Sequence, residues 1–481
     1  MQRRVAVVAA SVVALAAAAG VLARTQAPPD PLQQATADGC ERNDTTLHTL
    51  QSPNWVYVND KDYPASGPGP PFKTVTGVVQ RDPLDVHTSG GDNPVSHAAY
   101  DLNFDVVVDS ADADLVAKTN TSGGLHVERE ETAVPTYVWP EPGDRVTLRG
   151  SWVWDCDHFT TGSGELTGEE TELHPWTALW VERARSARSR TGEREIDLYV
   201  SSDKTEAGKS ADCAHRAKHS QVLFKACVLQ EPRYADVGGR YEFTLPVSGR
   251  VRVVDRGSRY APPLKISGRK ITFVAPVDGR SPDLGRLVVA KQIFIQPKGR
   301  AAPRDHLRVT FDRVLVRRAM DPACIPSAPA GCGTPETTRD DQVSHGPTGE
   351  WNFYADVAGV WSAWKPRVWR VRDGQTIRPG KRVDIWLPRA APWRLLVWAR
   401  ECDWGTLARG GSSALAPCPK QAEAGNRGGD DVPGAVLKRF RSVAASLGAH
   451  TVDASNAGST CPSVNRKGCY SVTFTVRRVG R

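Results

Sequence analysis

Short stretches rich in branched aliphatic and aromatic residues recur along most of the chain, and several alternate between apolar and polar positions. Clusters of Gly, Pro and Asp separate them, as is typical of β-strands joined by turns. In the first part of the chain we predict strands at 102–108, 145–154, 178–183, 196–201, 241–245, 251–254, 270–275 and 287–295. The pattern favours a sandwich or barrel.

A segment with proline at both ends, 297–303, predicts a hinge between two domains. After it, the pattern predicts strands at 307–311, 351–357, 361–371, 383–387, 393–399 and 470–477. We therefore predict an all-β protein with two β-sandwich-like domains, residues 40–300 and 305–481.

The second domain is expected to carry a single amphipathic helix between 431 and 448. Asp431 can cap its start and Gly448 can end it. Apolar residues recur at three- and four-residue spacing between these ends, at Val436, Phe440, Val443 and Leu447.

The N-terminus has the layout of a secretory signal peptide. Arg3 and Arg4 precede an uncharged run that ends at Ala23, and a polar, proline-containing stretch follows. We predict a signal peptide at 1–23 and a flexible lead-in at 24–39. The alternative is an uncleaved anchor. No later segment approaches membrane length, so we expect a secreted or cell-surface protein with no transmembrane segment after cleavage.

Ten cysteines in an exported chain predict disulfides. Four precede residue 300 and six follow it, so each domain can close its own set. Spacing favours the local pairs Cys213–Cys227, Cys324–Cys332, Cys402–Cys418 and Cys461–Cys469, which leaves Cys40 for Cys156. Spacing leaves other connectivities open.

The formal net charge is +8, or +6 without the two arginines of the signal peptide. Residues 250–321 hold 17 Lys or Arg against 6 acidic residues. Such an excess could attract an anionic partner, a cell-wall polymer or another anionic surface, but we favour a solvated basic face. The aromatic residues that stack on single-stranded bases are not clustered there, so we expect no specific nucleic acid.

One group of side chains predicts metal chemistry. Glu172 and His174 are two residues apart, so both leave the same face of an extended chain. A hairpin between 145–154 and this segment would bring them to Asp155 and His158. The full set of candidate ligands is His97, Asp101, Asp155, His158, Glu172 and His174.

Imidazole and carboxylate ligands together suit a divalent transition metal such as zinc, manganese or iron. With an open position, the metal could activate water for hydrolysis. The alternative is structural, a histidine that bonds a neighbouring carboxylate. The chain lacks the zinc-protease helix, the serine nucleophile elbow and the Rossmann glycine pattern.

Tryptophans crowd the second domain and allow a further interpretation. An exposed row could stack on sugar rings, but tryptophan in strands is usually core, and we predict core. The residues concerned are Trp361, Trp364, Trp369, Trp386, Trp393, Trp398 and Trp404.

Two segments, Trp-Asn-Phe-Tyr at 351–354 and Val-Ala-Gly-Val-Trp at 357–361, resemble a pattern in small secreted bacterial β-sandwich modules with C2-like topology. The resemblance covers about residues 305–481. The calcium-binding aspartates of C2 domains have no counterpart, so it implies no calcium. Segments 143–146, 152–158 and 170–175 resemble exported β-rich proteins of high-GC Gram-positive bacteria, which implies export and β architecture but no activity.

Together these features predict an exported extracellular or cell-surface binding protein of unknown ligand, in which the group of Asp155, His158, Glu172 and His174 is either structural or metal-binding. The alternative is a secreted metal-dependent hydrolase that uses Asp155, His158, Glu172 and His174.

Overall fold

A computed structural model gives the fold. It describes residues 55–57, 72–80, 102–117, 120, 122–129, 134–155, 170–183, 186–202, 237–259, 262–275, 287–298, 303–319, 348–364, 369–401, 434–456, 459–460 and 469–480. The signal peptide, the lead-in and nine of the ten cysteines lie outside these residues. The described part is mostly strand, which confirms the all-β class.

The first strands close into a barrel. Its members are β2 (Phe72–Val79), β3 (Phe104–Val108), β4 (Leu125–Val127), β5 (Arg145–Asp155) and β6 (Glu170–Glu182). The order around it is β2-β3-β4-β6-β5, and β5 pairs again with β2. The β4–β6 pair is parallel and the others are antiparallel. Closure leaves no free edge among these five strands.

The barrel interior is apolar because alternate residues of each strand point inward. Phe104, Val127 and Leu173 are fully or almost fully buried, and they follow one another across β3, β4 and β6. Short 3-10 turns at Ser110–Leu115 and Thr136–Val138 join barrel strands, and β1 (Trp55–Tyr57) pairs with β5. The residues that alternate with Phe104, Val127 and Leu173 along these strands therefore face outward.

A small sandwich extends from the barrel. The sheet continues from β6 through β7 (Arg194–Ser201), β12 (Val288–Pro297) and β9 (Gly249–Asp255). A three-stranded sheet covers it, made of β8 (Gly239–Thr244), β10 (Lys265–Ser267) and β11 (Lys270–Ala275). Their shared core includes Trp180 stacked on Phe243, with ring centroids 4.4 Å apart.

The C-terminal part is a second sandwich. One sheet contains β13 (Arg304–Arg318), β17 (Thr376–Ile377), β18 (Arg382–Pro388), β21 (Gly448–Asp453) and β24 (Cys469–Arg478). The other contains β14 (Thr348–Val357), β15 (Val360–Ala363), β16 (Trp369–Arg372), β19 (Trp393–Glu401), β20 (Gly434–Phe440), β22 (Ser455–Asn456) and β23 (Ser459–Thr460).

Most of the tryptophans predicted to be core are core. Trp361, Trp364, Trp393 and Trp398 are buried. Two others, Trp369 and Trp386, are half-buried, and Trp404 lies outside the described residues.

The two parts share a core although no sheet within the described ranges takes strands from both sides of 297–304. Trp139, after the second 3-10 turn, packs edge-on against Trp361 at 4.9 Å and stacks near Tyr354 at 5.9 Å. Leu396 and Trp398 belong to the same buried group. The barrel and the C-terminal sandwich are therefore in apolar contact.

The predicted helix at 431–448 is wrong for most of its length. Residues Gly434–Phe440 form β20, which pairs in full with β19, and only α1 (Val443–Ser446) is helical, capped by Ser442. The three- and four-residue spacing was compatible with a helix, but pairing with a buried neighbouring strand outweighed it. Within the described residues, no helix is long and apolar enough to cross a membrane.

Candidate metal centre

Three titratable residues form one row across the outer surface of the barrel. Asp105 on β3 pairs with His126 on β4, and His126 pairs with Glu172 on β6. Directly paired residues of neighbouring strands point to the same side of a sheet. The apolar interior lies on the other side, so this row lies outside the barrel.

A second row lies two residues further along the same two strands. The Glu128 amide donates to the Leu173 carbonyl at 3.1 Å, which continues the parallel β4–β6 register. His174 Nδ1 lies 3.3 Å from Glu172 Oε2 and 3.8 Å from Glu128 Oε2. We refer to the five residues of both rows as the metal cluster: Asp105, His126, Glu128, Glu172 and His174.

The spacing within the metal cluster suits a small divalent ion. One ligand atom from each of His126, Glu128 and Glu172 lies within 4.8 Å of the others. Four ligands at about 2.1 Å around a tetrahedral metal lie about 3.4 Å from one another. The His174 distances of 3.3 and 3.8 Å are close to that value, whereas a hydrogen bond is normally shorter.

Asp105 orients His126 for this role. Its Oδ1 lies 2.9 Å from His126 Nδ1, and His126 Nε2 lies 3.6 Å from a Glu128 oxygen. A carboxylate that holds one imidazole nitrogen leaves the other directed at a metal. Burial lowers the pKa of His126, but hydrogen bonds to Asp105 and Glu128 outweigh it and raise the pKa well above its ordinary value. The site therefore favours a positive charge at this position.

A hydrogen-bonded loop fixes the strand that carries Glu172. The Asn120 amide donates to the Thr171 carbonyl at 3.0 Å, and its oxygen accepts from the Thr171 amide at 3.0 Å. Thr171 Oγ1 also donates to the Leu115 carbonyl at 2.8 Å. These buried bonds hold the backbone next to Glu172 in place, so its carboxylate has a defined position.

Gly150 allows β5 to close against β6 beside His174. The register of the pair shifts at this residue. A Cβ added at Gly150 would lie 2.8 Å from the Trp176 Cα and 2.9 Å from the Pro175 carbonyl oxygen, which is too close for any other residue. The peptide bond between His174 and Pro175 is cis.

The metal cluster is largely buried, most completely at Glu172 and His174. The side chains of Glu172 and His174 are each 4% exposed. Those of Asp105, Glu128 and His126 are 13%, 16% and 18% exposed. A bound ion would therefore rest on buried ligands and remain within reach of solvent.

Two of the six predicted ligands, Glu172 and His174, lie side by side on β6, which pairs with β5, and their predicted convergence with Asp155 and His158 stays a prediction. Asp155 is the last residue of β5 and its backbone pairs with Glu170. The remaining three, His97, Asp101 and His158, lie outside the described residues.

Sequence reasoning missed Asp105, His126 and Glu128. The sequence feature that could have revealed His126 and Glu128 is a mirrored pattern, His-x-Glu at 126–128 and Glu-x-His at 172–174.

A second group of buried charges lies between the barrel and the C-terminal sandwich, beside a cleft of about 350 Å³. Arg394 pairs with Glu141 and lies 3.5 Å from Asp356, while Arg183 bonds Asp144 at 2.9 Å. We call these five residues the interdomain cluster. Burial raises the pKa of Glu141 to about 7, against the opposing effect of Arg394.

No family model and no curated protein matches this chain. Solved structures that match include a C2 domain of plant extended synaptotagmin 1, with 9% identity and a TM-score of 0.21 over 38% of this chain and 100% of that one. Human GIVD cytosolic phospholipase A2 has 11% identity and a TM-score of 0.20, over 38% of this chain and 17% of that one.

A fragment of extended synaptotagmin 2, with its SMP domain and two C2 domains, matches over 79% of this chain and 84% of that one, with 9% identity and a TM-score of 0.19. Both synaptotagmin structures contain C2 domains.

Proposed function

We propose that this chain is an exported, extracellular or cell-surface binding protein whose barrel holds one divalent transition metal. The observation that supports this is the convergence of His126, Glu128 and Glu172, whose ligand atoms lie within 4.8 Å of one another, with His174 3.3 and 3.8 Å from the two carboxylates and Asp105 behind His126. The proposed ligands are His126, Glu128, Glu172 and His174.

The donor set selects the class of metal. Imidazole nitrogen suits zinc, iron and other late first-row ions, while carboxylate oxygen also suits manganese. Two nitrogens with two oxygens therefore favour zinc, iron or manganese over calcium and magnesium, which prefer oxygen alone. Export from the cell, predicted from residues 1–23, belongs to the same proposal, as does an anionic cell-wall polymer as partner.

The test is metal content of the full mature chain, purified without a metal-binding tag and measured by elemental analysis before and after reconstitution with zinc, iron or manganese. We expect about one ion per chain. Glu172→Gln and His174→Ala should each remove it. Glu182→Gln is the matched control, because Glu182 lies on the same strand and accepts instead from Trp180 Nε1 at 3.2 Å.

Absence of metal in the reconstituted wild type would overturn the proposal. So would a stoichiometric ion that survives both cluster variants. Glu182→Gln must lose less metal than the two cluster variants, since general destabilisation would lower the metal content of all three.

A hydrolase is the second candidate, and the partial exposure of His126 and Glu128 favours it. An ion held by buried Glu172 and His174, with the slightly exposed His126 and Glu128 on its other side, could take a water molecule and lower its pKa. The test is hydrolysis of phosphoester, ester and peptide probes by metal-loaded wild type, with Glu172→Gln as the inactive control. Equal rates in the two proteins would rule this candidate out.

A further inference from the structure

The outer face of the three-stranded sheet β10-β11-β8 is solvent-exposed. Register places Arg240 opposite Val274 and Lys265 opposite Thr272. Lys270 lies opposite both Thr244 and Ser267. We call this surface the basic face, and it consists of Arg240, Glu242, Thr244, Lys265, Ser267, Lys270, Thr272 and Val274, with Arg269 in the adjoining turn.

Cations exceed carboxylates on the basic face by four to one. The one carboxylate, Glu242, is shared, since it lies 2.5 Å from Lys270 Nζ and 3.8 Å from a nitrogen of Arg240. Within the described residues, Lys265 has no carboxylate partner. The face therefore keeps a net positive charge that its own ion pairs do not neutralise.

The turn between β10 and β11 holds another cation in a fixed position. Arg269 donates through Nε to the Leu245 carbonyl at 2.6 Å and through a terminal nitrogen to the Pro246 carbonyl at 3.2 Å. Diagonal neighbours such as Lys265 and Lys270 lie about 7–8 Å apart across two strands. The cations are thus presented in an ordered array on a sheet.

Hydroxyl groups fill the positions between the cations, from Thr244, Ser267 and Thr272. The only large apolar side chain on the face is Val274, which is 59% exposed. A face that entered a bilayer would need several such side chains. Cations interleaved with hydroxyl donors instead match a hydrophilic polyanion, because phosphate oxygens accept from both.

We propose that the basic face binds a linear phosphodiester polymer of the cell wall. This deepens the proposed cell-surface function by assigning its partner to one sheet, and it is independent of whether the barrel holds a metal.

The test is binding of the full mature chain to synthetic poly(glycerol phosphate), measured by calorimetry in low and in physiological salt. We expect binding that weakens as salt rises. A triple variant, Arg240→Gln with Lys265→Gln and Lys270→Gln, should bind about tenfold more weakly or worse. The charge-matched control replaces Arg372, Arg378 and Arg382, exposed residues of the C-terminal sandwich, by Gln.

Equal losses in both triple variants would overturn the assignment, because only overall charge would then matter. Preference for phosphatidylglycerol vesicles over the polymer would also overturn it, in favour of a membrane. Metal content of the same samples separates the two proposals. The basic-face variant should keep the wild-type metal stoichiometry. If the wild type retains metal but does not bind the polymer, the basic-face proposal fails while the metal proposal stands.

Discussion

The metal cluster and the interdomain cluster both contain several buried acidic residues, yet they differ in the groups that offset this negative charge. In the interdomain cluster the partners are guanidiniums, which stay charged at every relevant pH. In the metal cluster the partners are imidazoles, and although the raised pKa of His126 keeps it protonated, that one charge faces three carboxylates, Asp105, Glu128 and Glu172. The interdomain cluster therefore offsets its negative charge with its own arginines, whereas the metal cluster would be stabilised by a bound cation.

The largest expected effect is the loss of an interdomain guanidinium. Arg183 donates to Asp197 at 2.6 Å and to Asp144 at 2.9 Å, and all three side chains are buried. Arg183→Met leaves two buried carboxylates without their cation, so we expect about 3–5 kcal/mol less stability in urea unfolding.

The matched change in the metal cluster is Glu172→Gln, measured without metal. It removes one of several neighbouring carboxylates and should cost less than about 1 kcal/mol. Similar losses in the two variants would contradict the distinction between the clusters.

The next effect is on pH dependence. Burial raises the pKa of Glu141 to about 7 from 4.5. The folded protein then binds this proton more tightly than the unfolded chain, so the stability that Glu141 contributes is greatest below about pH 4.5 and is lost as the pH rises through about 7. The full loss amounts to about 3 kcal/mol.

Glu141→Gln cannot titrate, and its unfolding free energy should vary less between pH 4.5 and 7 than that of the wild type. The variant also loses the ion pair with Arg394, so only the change with pH is informative, and the stability at one pH is not. Parallel pH profiles for the two proteins would show that Glu141 titrates normally.

A bound metal should stabilise only through the metal cluster. At a free zinc concentration 100 times Kd, the wild type should gain about 2.7 kcal/mol against unfolding. Glu172→Gln should gain nothing. Arg183→Met should keep the full gain although its baseline is lower, and loss of the gain there would mean that the two clusters are coupled.

The strands were predictable because their apolar residues face a continuous core. The predicted 270–275 coincides with β11, and 393–399 lies within β19. The helix prediction failed at β20, where Val436 and Phe440 fit either period. Local spacing cannot report that β19 offers a full set of backbone partners there.

The site was half predictable for a related reason. Glu172 and His174 share a strand, and two-residue spacing alone places them on one face. Asp105 and His126 join them only through the β3–β4 and β4–β6 registers, and the second of these is a parallel pairing between strands far apart in sequence. Nothing local in a three-residue strand such as β4 specifies that partner.

The smallest expected effect tests the turn beside the interdomain cluster. Ala358 has φ of 54°, and Gly359, at 83°, donates its amide to Asp356 at 2.7 Å. A two-residue hairpin turn with positive φ at both positions favours glycine, so Ala358→Gly relieves strain but frees the unfolded chain. We expect a net gain of less than about 1 kcal/mol. In contrast, Ala363→Gly, in the adjoining strand, should cost about 0.5–1 kcal/mol. A loss of stability in both variants would mean that the turn does not hold Ala358 in the left-handed region. Neither change should alter the metal content, because both residues lie in the C-terminal sandwich and not in the metal cluster.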